Sequence, residues 1–130
     1  MRKLNLILIV IFFVISIVFA KSQTGVFPVP VLETYIESGF QPGSILETDA
    51  VIFKLTGKNL TNTKDKVSFE TMLFPVEKNW TKSYGDSKKY SNLKRGNYVF
   101  FARATKKYAK IIIVDKTPSF THFQVKVSDY

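Results

Sequence analysis

The residues that could do chemistry are few and scattered. A single histidine, His122, stands in "FTHFQV", and cysteine is absent. One imidazole without thiolates does not make a zinc site, which needs three or four converging ligands. His122 falls opposite the apolar face of an alternating segment, so a solvated strand residue is expected. Glu70 and Glu77 can be pictured as the paired carboxylates of a glycosidase, but nothing in the sequence sets them across a substrate. "TNTKDK" (Thr61–Lys66) is too basic for a calcium loop. No nucleophile elbow, H-E-x-x-H, P-loop or dinucleotide fingerprint occurs. The expectation is a non-enzymatic protein with no metal and no cofactor.

What remains is charge. The chain carries 19 Lys and Arg against 10 Asp and Glu, a net charge of +9. Nine of those basic residues lie between Asn79 and Lys110 with one acid, Asp86. Such a concentration is a steering field for something anionic. Lys82, Lys88, Lys89, Lys94, Arg95, Lys106 and Lys107 are the candidate contacts. The bland reading is solvation and protection of strand edges. The same run, "NWTKSYGDSKKYSNLKRGNYVFFARA", also holds Trp80, Tyr84, Tyr90 and Tyr98.

The elements around this run are strands. "DAVIFKLTG" sets Val51, Phe53 and Leu55 against Ile52, Lys54 and Thr56. "KVSFETMLF" sets Val67, Phe69, Thr71 and Leu73 against Ser68, Glu70, Met72 and Phe74, and Pro75 stops it. "NYVFFARATKK" interleaves Tyr98, Phe100 and Ala102 with Val99, Phe101 and Arg103. "SFTHFQVKV" alternates Thr121, Phe123 and Val125 with Phe120, His122 and Gln124. Period two marks half-buried strands. Ile111–Val114 is a continuous apolar run, expected to be buried on both faces. "GFQPGS", "NLTNTKDK" and "KSYGDSKK" read as turns, and Leu32–Gly39 is ambiguous. No segment keeps a helical period.

Met1–Ala20 stands apart. Arg2 and Lys3 precede an apolar run, and V-F-A before Lys21 has the small residues of a signal-peptidase site. At 17 residues, Leu4–Ala20 is near the lower limit for spanning a bilayer. A cleaved signal peptide over 1–20 is expected, with a membrane anchor only if it stays. An exported chain without cysteines points to a bacterial envelope protein, periplasmic, cell-surface or secreted. The remainder divides into an extended lead-in with a first edge strand (21–45) and a β-sandwich (46–130). Pro28 and Pro30 keep the lead-in extended.

"LKRGNY" (Leu93–Tyr98) opens the strongest strand, and it resembles the end of the three-Y (Y_Y_Y) domain. That is an immunoglobulin/fibronectin-III-like sandwich of the extracytoplasmic parts of bacterial two-component regulators. Anchored on Trp80, the resemblance places the family's first tyrosine at Phe69, its leucine at Leu73, its middle tyrosine at Tyr90 and its last at Tyr98. Leu93 and Gly96 fill the L-x-x-G-x-Y element. Thr71 and Pro75 depart from the family's second tyrosine and glycine. The likeness runs over Val67–Ala102. It implies an all-β antiparallel sandwich of about seven strands, with Trp80, Tyr90 and Tyr98 structural.

Physical reasoning gives the same assignment. Gly96 would supply a positive φ in a tight turn. Tyr98 would return its hydroxyl to backbone as a tyrosine corner, and Trp80 would fill the space between the sheets.

The resulting expectation is a small exported Ig-like interaction module. It acts in trans on a protein or an anionic envelope polymer, with no nucleic acid because export removes it from the genome. The first alternative is a carbohydrate- or small-ligand-binding sandwich using exposed aromatics such as Tyr84 and Tyr108. The second is a structural or adhesion subunit, which calls for an unpaired hydrophobic edge strand.

Overall fold

The computed structural model describes Pro28–Val127. The signal peptide expected over 1–20 lies outside the described residues. Nine strands follow in order: β1 (Leu32–Ser38), β2 (Ser44–Leu46), β3 (Val51–Asn59), β4 (Ser68–Phe74), β5 (Thr81–Ser83), β6 (Ser87–Tyr90), β7 (Gly96–Tyr108), β8 (Ile111–Val114) and β9 (Ser119–Val125). No helix forms among the described residues. The fold is an all-β sandwich. Nine strands replace about seven because the short strands β2, β5 and β6 overlap "GFQPGS" and "KSYGDSKK", segments that read as turns.

The smaller sheet has the order β1-β3-β6; the larger runs β2-β9-β7-β4-β5, with β8 on β7. All pairings are antiparallel except β2 with β9. β7 is the spine. Its 13 residues pair with β4 along one side, and with β9 and then β8 along the other. Leu32–Ser38, ambiguous in sequence, pairs all its residues with β3.

Alternation dictates the core. Phe53 and Leu55 from β3 meet Phe69 and Leu73 from β4, Phe100 and Ala102 from β7, and Phe123 and Val125 from β9. The rings of Phe53 and Phe100 stack at 3.9 Å and 7°, joining the two sheets at the centre. Gly57 lets β3 cross closely over this core. A Cβ there would lie 2.4 Å from Val67 Cγ2 and 2.9 Å from the Phe69 ring.

A buried polar clasp joins the sheets along one side. Thr34 Oγ1 donates to Asp115 Oδ2 at 2.6 Å and accepts from the Ala104 N–H at 2.7 Å. The Asp115 N–H bonds Ala104 O at 2.9 Å, and its Oδ1 accepts from the N–H and hydroxyl of Thr117. Ser119 Oγ donates to the Thr34 carbonyl. These bonds satisfy groups that would otherwise cost free energy inside the fold.

Ile111–Val114 departs from expectation. It is not buried on both faces: Ile111 is 58% exposed and Ile112 67%. β8 lies past the point where β9 and the smaller sheet cover β7, and only Ile113 packs toward the core.

Candidate functional site

The candidate cations do not form one surface. Lys82 sits on edge strand β5 and lies 5.8 Å from the Tyr84 ring. Lys88 and Lys89 belong to β6, Lys88 half-buried over Tyr90 at 5.3 Å and Lys89 exposed. Lys94 and Arg95 are exposed in the turn before β7. Lys106 and Lys107 lie at the opposite end of β7. Extended chain advances about 3.4 Å per residue, so Gly96 and Lys106 are roughly 35 Å apart. Lys106 is also engaged. Its Nζ is 2.7 Å from Asp65 Oδ1 and 2.9 Å from the Lys66 carbonyl, and the hydrogen bond from Lys106 holds the Asp65 carboxyl below its ordinary range.

The signature residues divide. Phe69, Leu73, Leu93 and Tyr98 are buried. Tyr98 donates its hydroxyl to the Lys94 carbonyl four residues upstream, which is the expected tyrosine corner. Tyr90 is half-buried and donates to Glu77 Oε1 at 2.7 Å. Burial, followed by the Glu77 hydrogen bond and charge, pushes the Tyr90 hydroxyl well above its ordinary pKa. The same Glu77 oxygen accepts from the Leu73 N–H at 2.9 Å, tying the end of β4 to β6. Gly96 has the positive φ expected of it. That φ is +158°, and Asn92 earlier in the same turn is left-handed at +58°.

Trp80 overturns its assignment to the core. It lies just before β5 and turns onto the outer face of the larger sheet, half-buried. The Arg103 guanidinium carbon sits 4.3 Å from its ring centroid. Arg103 also grips Glu70, with Nε at 2.8 Å and Nη2 at 2.7 Å from Oε1. Trp80 packs edge-on to Phe101 at 6.4 Å, and Phe101 packs against Phe120 at 6.1 Å.

Register extends this into a face. Phe120, Phe101 and Met72 lie opposite one another on β9, β7 and β4. His122, Val99 and Phe74 form the adjacent row, and Arg103, Glu70 and Lys82 the row on the other side. Phe74 and Phe120 are 54% and 66% exposed. The outer face of the smaller sheet is different. It pairs Glu33 with Lys58, Tyr35 with Thr56, Glu37 with Lys54, and Ile52 with Lys89. One outer face is a charged ladder, the other an aromatic band with one charged border.

Part of this face could be read from sequence. Phe100 and Phe101 are adjacent on a pleated strand, so one must point outward. Trp80 gave no such signal, because it precedes a short strand whose register the sequence leaves open.

The other chemical candidates are apart. Glu70 belongs to Arg103 and Glu77 to Tyr90, so the two carboxylates have separate partners. His122 is exposed on the outer face. No group of three or more His, Asp or Glu is placed to hold a metal among the described residues. Tyr84 follows β5, while Tyr108 ends β7 and lines a cleft of about 700 Å³ with Pro28, Pro30, Asn59 and Asp65. The two tyrosines therefore sit in different parts of the fold.

The fold recurs in the extracellular domains of two bacterial signalling systems. One is the extracellular domain of a protein described as a one-component system of B. thetaiotaomicron (TM-score 0.54, 16% identity, 77% of this chain and 16% of that one). The other belongs to a protein described as a hybrid two-component system of the same organism (TM-score 0.53, 12% identity, 75% of this chain and 15% of that one). The described fold thus corresponds to a small part of each. No family profile and no curated protein matches the chain.

Proposed function

We propose that this chain is an exported, non-enzymatic interaction module of the bacterial envelope, related to the three-Y domain, that docks a partner protein through the outer face of its larger sheet. The observation that carries this is the contrast between the two outer faces. The smaller sheet presents the cross-strand pairs Glu33–Lys58 and Glu37–Lys54, with Tyr35 and Ile52 as single apolar residues beside them rather than a continuous band. The larger presents Phe120, Phe101, Phe74, Met72 and Trp80 beside Arg103. Contiguous exposed apolar residues bordered by charge mark interaction sites. Trp and Arg are also the residue types that dominate binding energy at protein interfaces.

A protein surface suits this face better than a sugar. The Trp80 and Phe101 planes meet at 71° and those of Phe101 and Phe120 at 41°, so the rings offer no common flat platform. A partner carrying a carboxylate near Lys82 would bring in the anionic preference suggested by composition. The signalling neighbours supply a context in which this fold works as one module among others outside the cell.

Photo-crosslinking in cells tests the reading. A benzophenone side chain at position 120 should capture a discrete protein, and the same group at Ile52 should not. Phe120→Asp should abolish capture from a benzophenone at position 74 while leaving the melting temperature unchanged. Equal crosslinking from positions 120 and 52, or none from 120, rejects the aromatic face.

A further inference from the structure

We propose that the free edge of β8 accepts an extended acidic segment of a partner as an added strand, independently of the aromatic face. β8 is Ile-Ile-Ile-Val, four β-branched residues without a charge among them. Among the described residues it pairs with β7 alone, through Thr105–Tyr108. The outermost strands β1, β2, β5 and β6 are blunted in ways natural sheets use. β2 and β5 are three residues long, β6 carries Lys88 and Lys89, and β1 is held at Thr34 by Ser119, Asp115 and Ala104. β8 has exposed isoleucines instead.

The surrounding charge identifies the occupant. Ile112 and Val114 share one side of the strand, Lys107 lies directly across from Ile112, and Lys110 and Lys116 flank the strand at its two ends. The three lysines are exposed. The carboxylate that follows β8 in the chain, Asp115, is buried and committed to Thr34 and Thr117. An apolar pair ringed by three cations complements a strand that alternates acidic and apolar residues. A second copy of this chain fits worse, since two β8 edges would bring these lysines together, and like charges across a strand pair repel.

The probe is a dye-labelled heptapeptide of alternating glutamate and valine, read by fluorescence anisotropy against the exported protein. It should bind at low salt and weaken as salt rises. Two control peptides should fail. One replaces the central valine with proline, which keeps the charge but cannot extend a ladder. The other replaces glutamate with lysine. Ile112→Glu should weaken binding by roughly tenfold or more, because it removes an apolar contact and sets a carboxylate against the peptide's glutamates. If that variant does not fold, Lys110→Glu with Lys116→Glu, both at exposed positions, should reverse the preference toward the lysine peptide. Equal binding of the proline peptide overturns strand addition. So does a sedimentation experiment in which the protein self-associates and Ile112→Lys dissolves the association. A Phe120→Asp protein should still bind the peptide, which separates this proposal from the aromatic-face reading.

Discussion

Arg103 lies between Trp80 and Glu70, its guanidinium 4.3 Å from the indole centroid and 2.7 Å from the carboxylate. This holds the tryptophan on the outside of the larger sheet. Trp80→Ala should therefore leave the domain folded. The loss is a half-exposed ring and a cation–π contact, together about 1–2 kcal/mol. Phe100→Ala removes the ring stacked on Phe53 and should cost about 3–5 kcal/mol. Urea unfolding of both variants decides it. Equal losses would return Trp80 to a core role.

Thr34→Val should cost more than its exposed neighbours suggest. The threonine hydroxyl serves the Asp115 carboxylate and the Ala104 N–H at once. Valine keeps the shape and leaves both groups buried without that partner, a penalty of about 1–3 kcal/mol. Thr34→Ser, which keeps the hydroxyl, should recover most of it. If both variants lose the same amount, the hydrogen bonds are not what joins β1 to β7 and β8.

Alkaline stability should depend on Tyr90. Its folded pKa lies above the unfolded value near 10 because burial and Glu77 disfavour the phenolate. Its contribution is fully present below that unfolded value and is lost as pH rises through the folded one. Melting temperature should thus fall above about pH 10, and Tyr90→Phe should fall less steeply. Asp65 acts oppositely. Its lowered pKa gives stability present above the ordinary carboxylate range and lost as pH falls. Identical alkaline slopes for the wild-type and Tyr90→Phe proteins would contradict the burial of this hydroxyl.

The strands were legible wherever period two ran for several residues, as in Val51–Leu55 and Tyr98–Ala102. The tyrosine corner was legible too, because Leu93 and Tyr98 flank a turn of fixed length. Three things were not. The side on which Trp80 packs follows from the β4–β5 register, which short strands specify weakly. The division of the cations follows from the length of β7, which carries Lys106 away from Arg95. The exposure of Ile112 follows from where β9 ends its pairing with β7, and a continuous apolar run cannot reveal that. Each of these depends on how strands are placed against one another, while sequence patterning reports on one strand at a time.

The β7–β8 hairpin contains a residue under backbone strain. Ala109 has φ +54°, in the left-handed region, where a Cβ costs about 1–2 kcal/mol. Ala109→Gly relieves that cost but adds unfolded-chain freedom worth about 0.4–1 kcal/mol. The net is a stabilisation of about 0.5–1 kcal/mol, or about 3–5 °C in melting temperature. Asn92 has a similar φ of +58°, but asparagine tolerates this region, so Asn92→Gly should gain nothing. Calorimetry on the two variants separates them. The expected result is a higher melting temperature for Ala109→Gly alone. An unchanged value for Ala109→Gly would mean that the turn is held by contacts a glycine also loses. The hairpin would then be stiffer than its backbone geometry suggests, and β8 a better ordered edge for a partner strand.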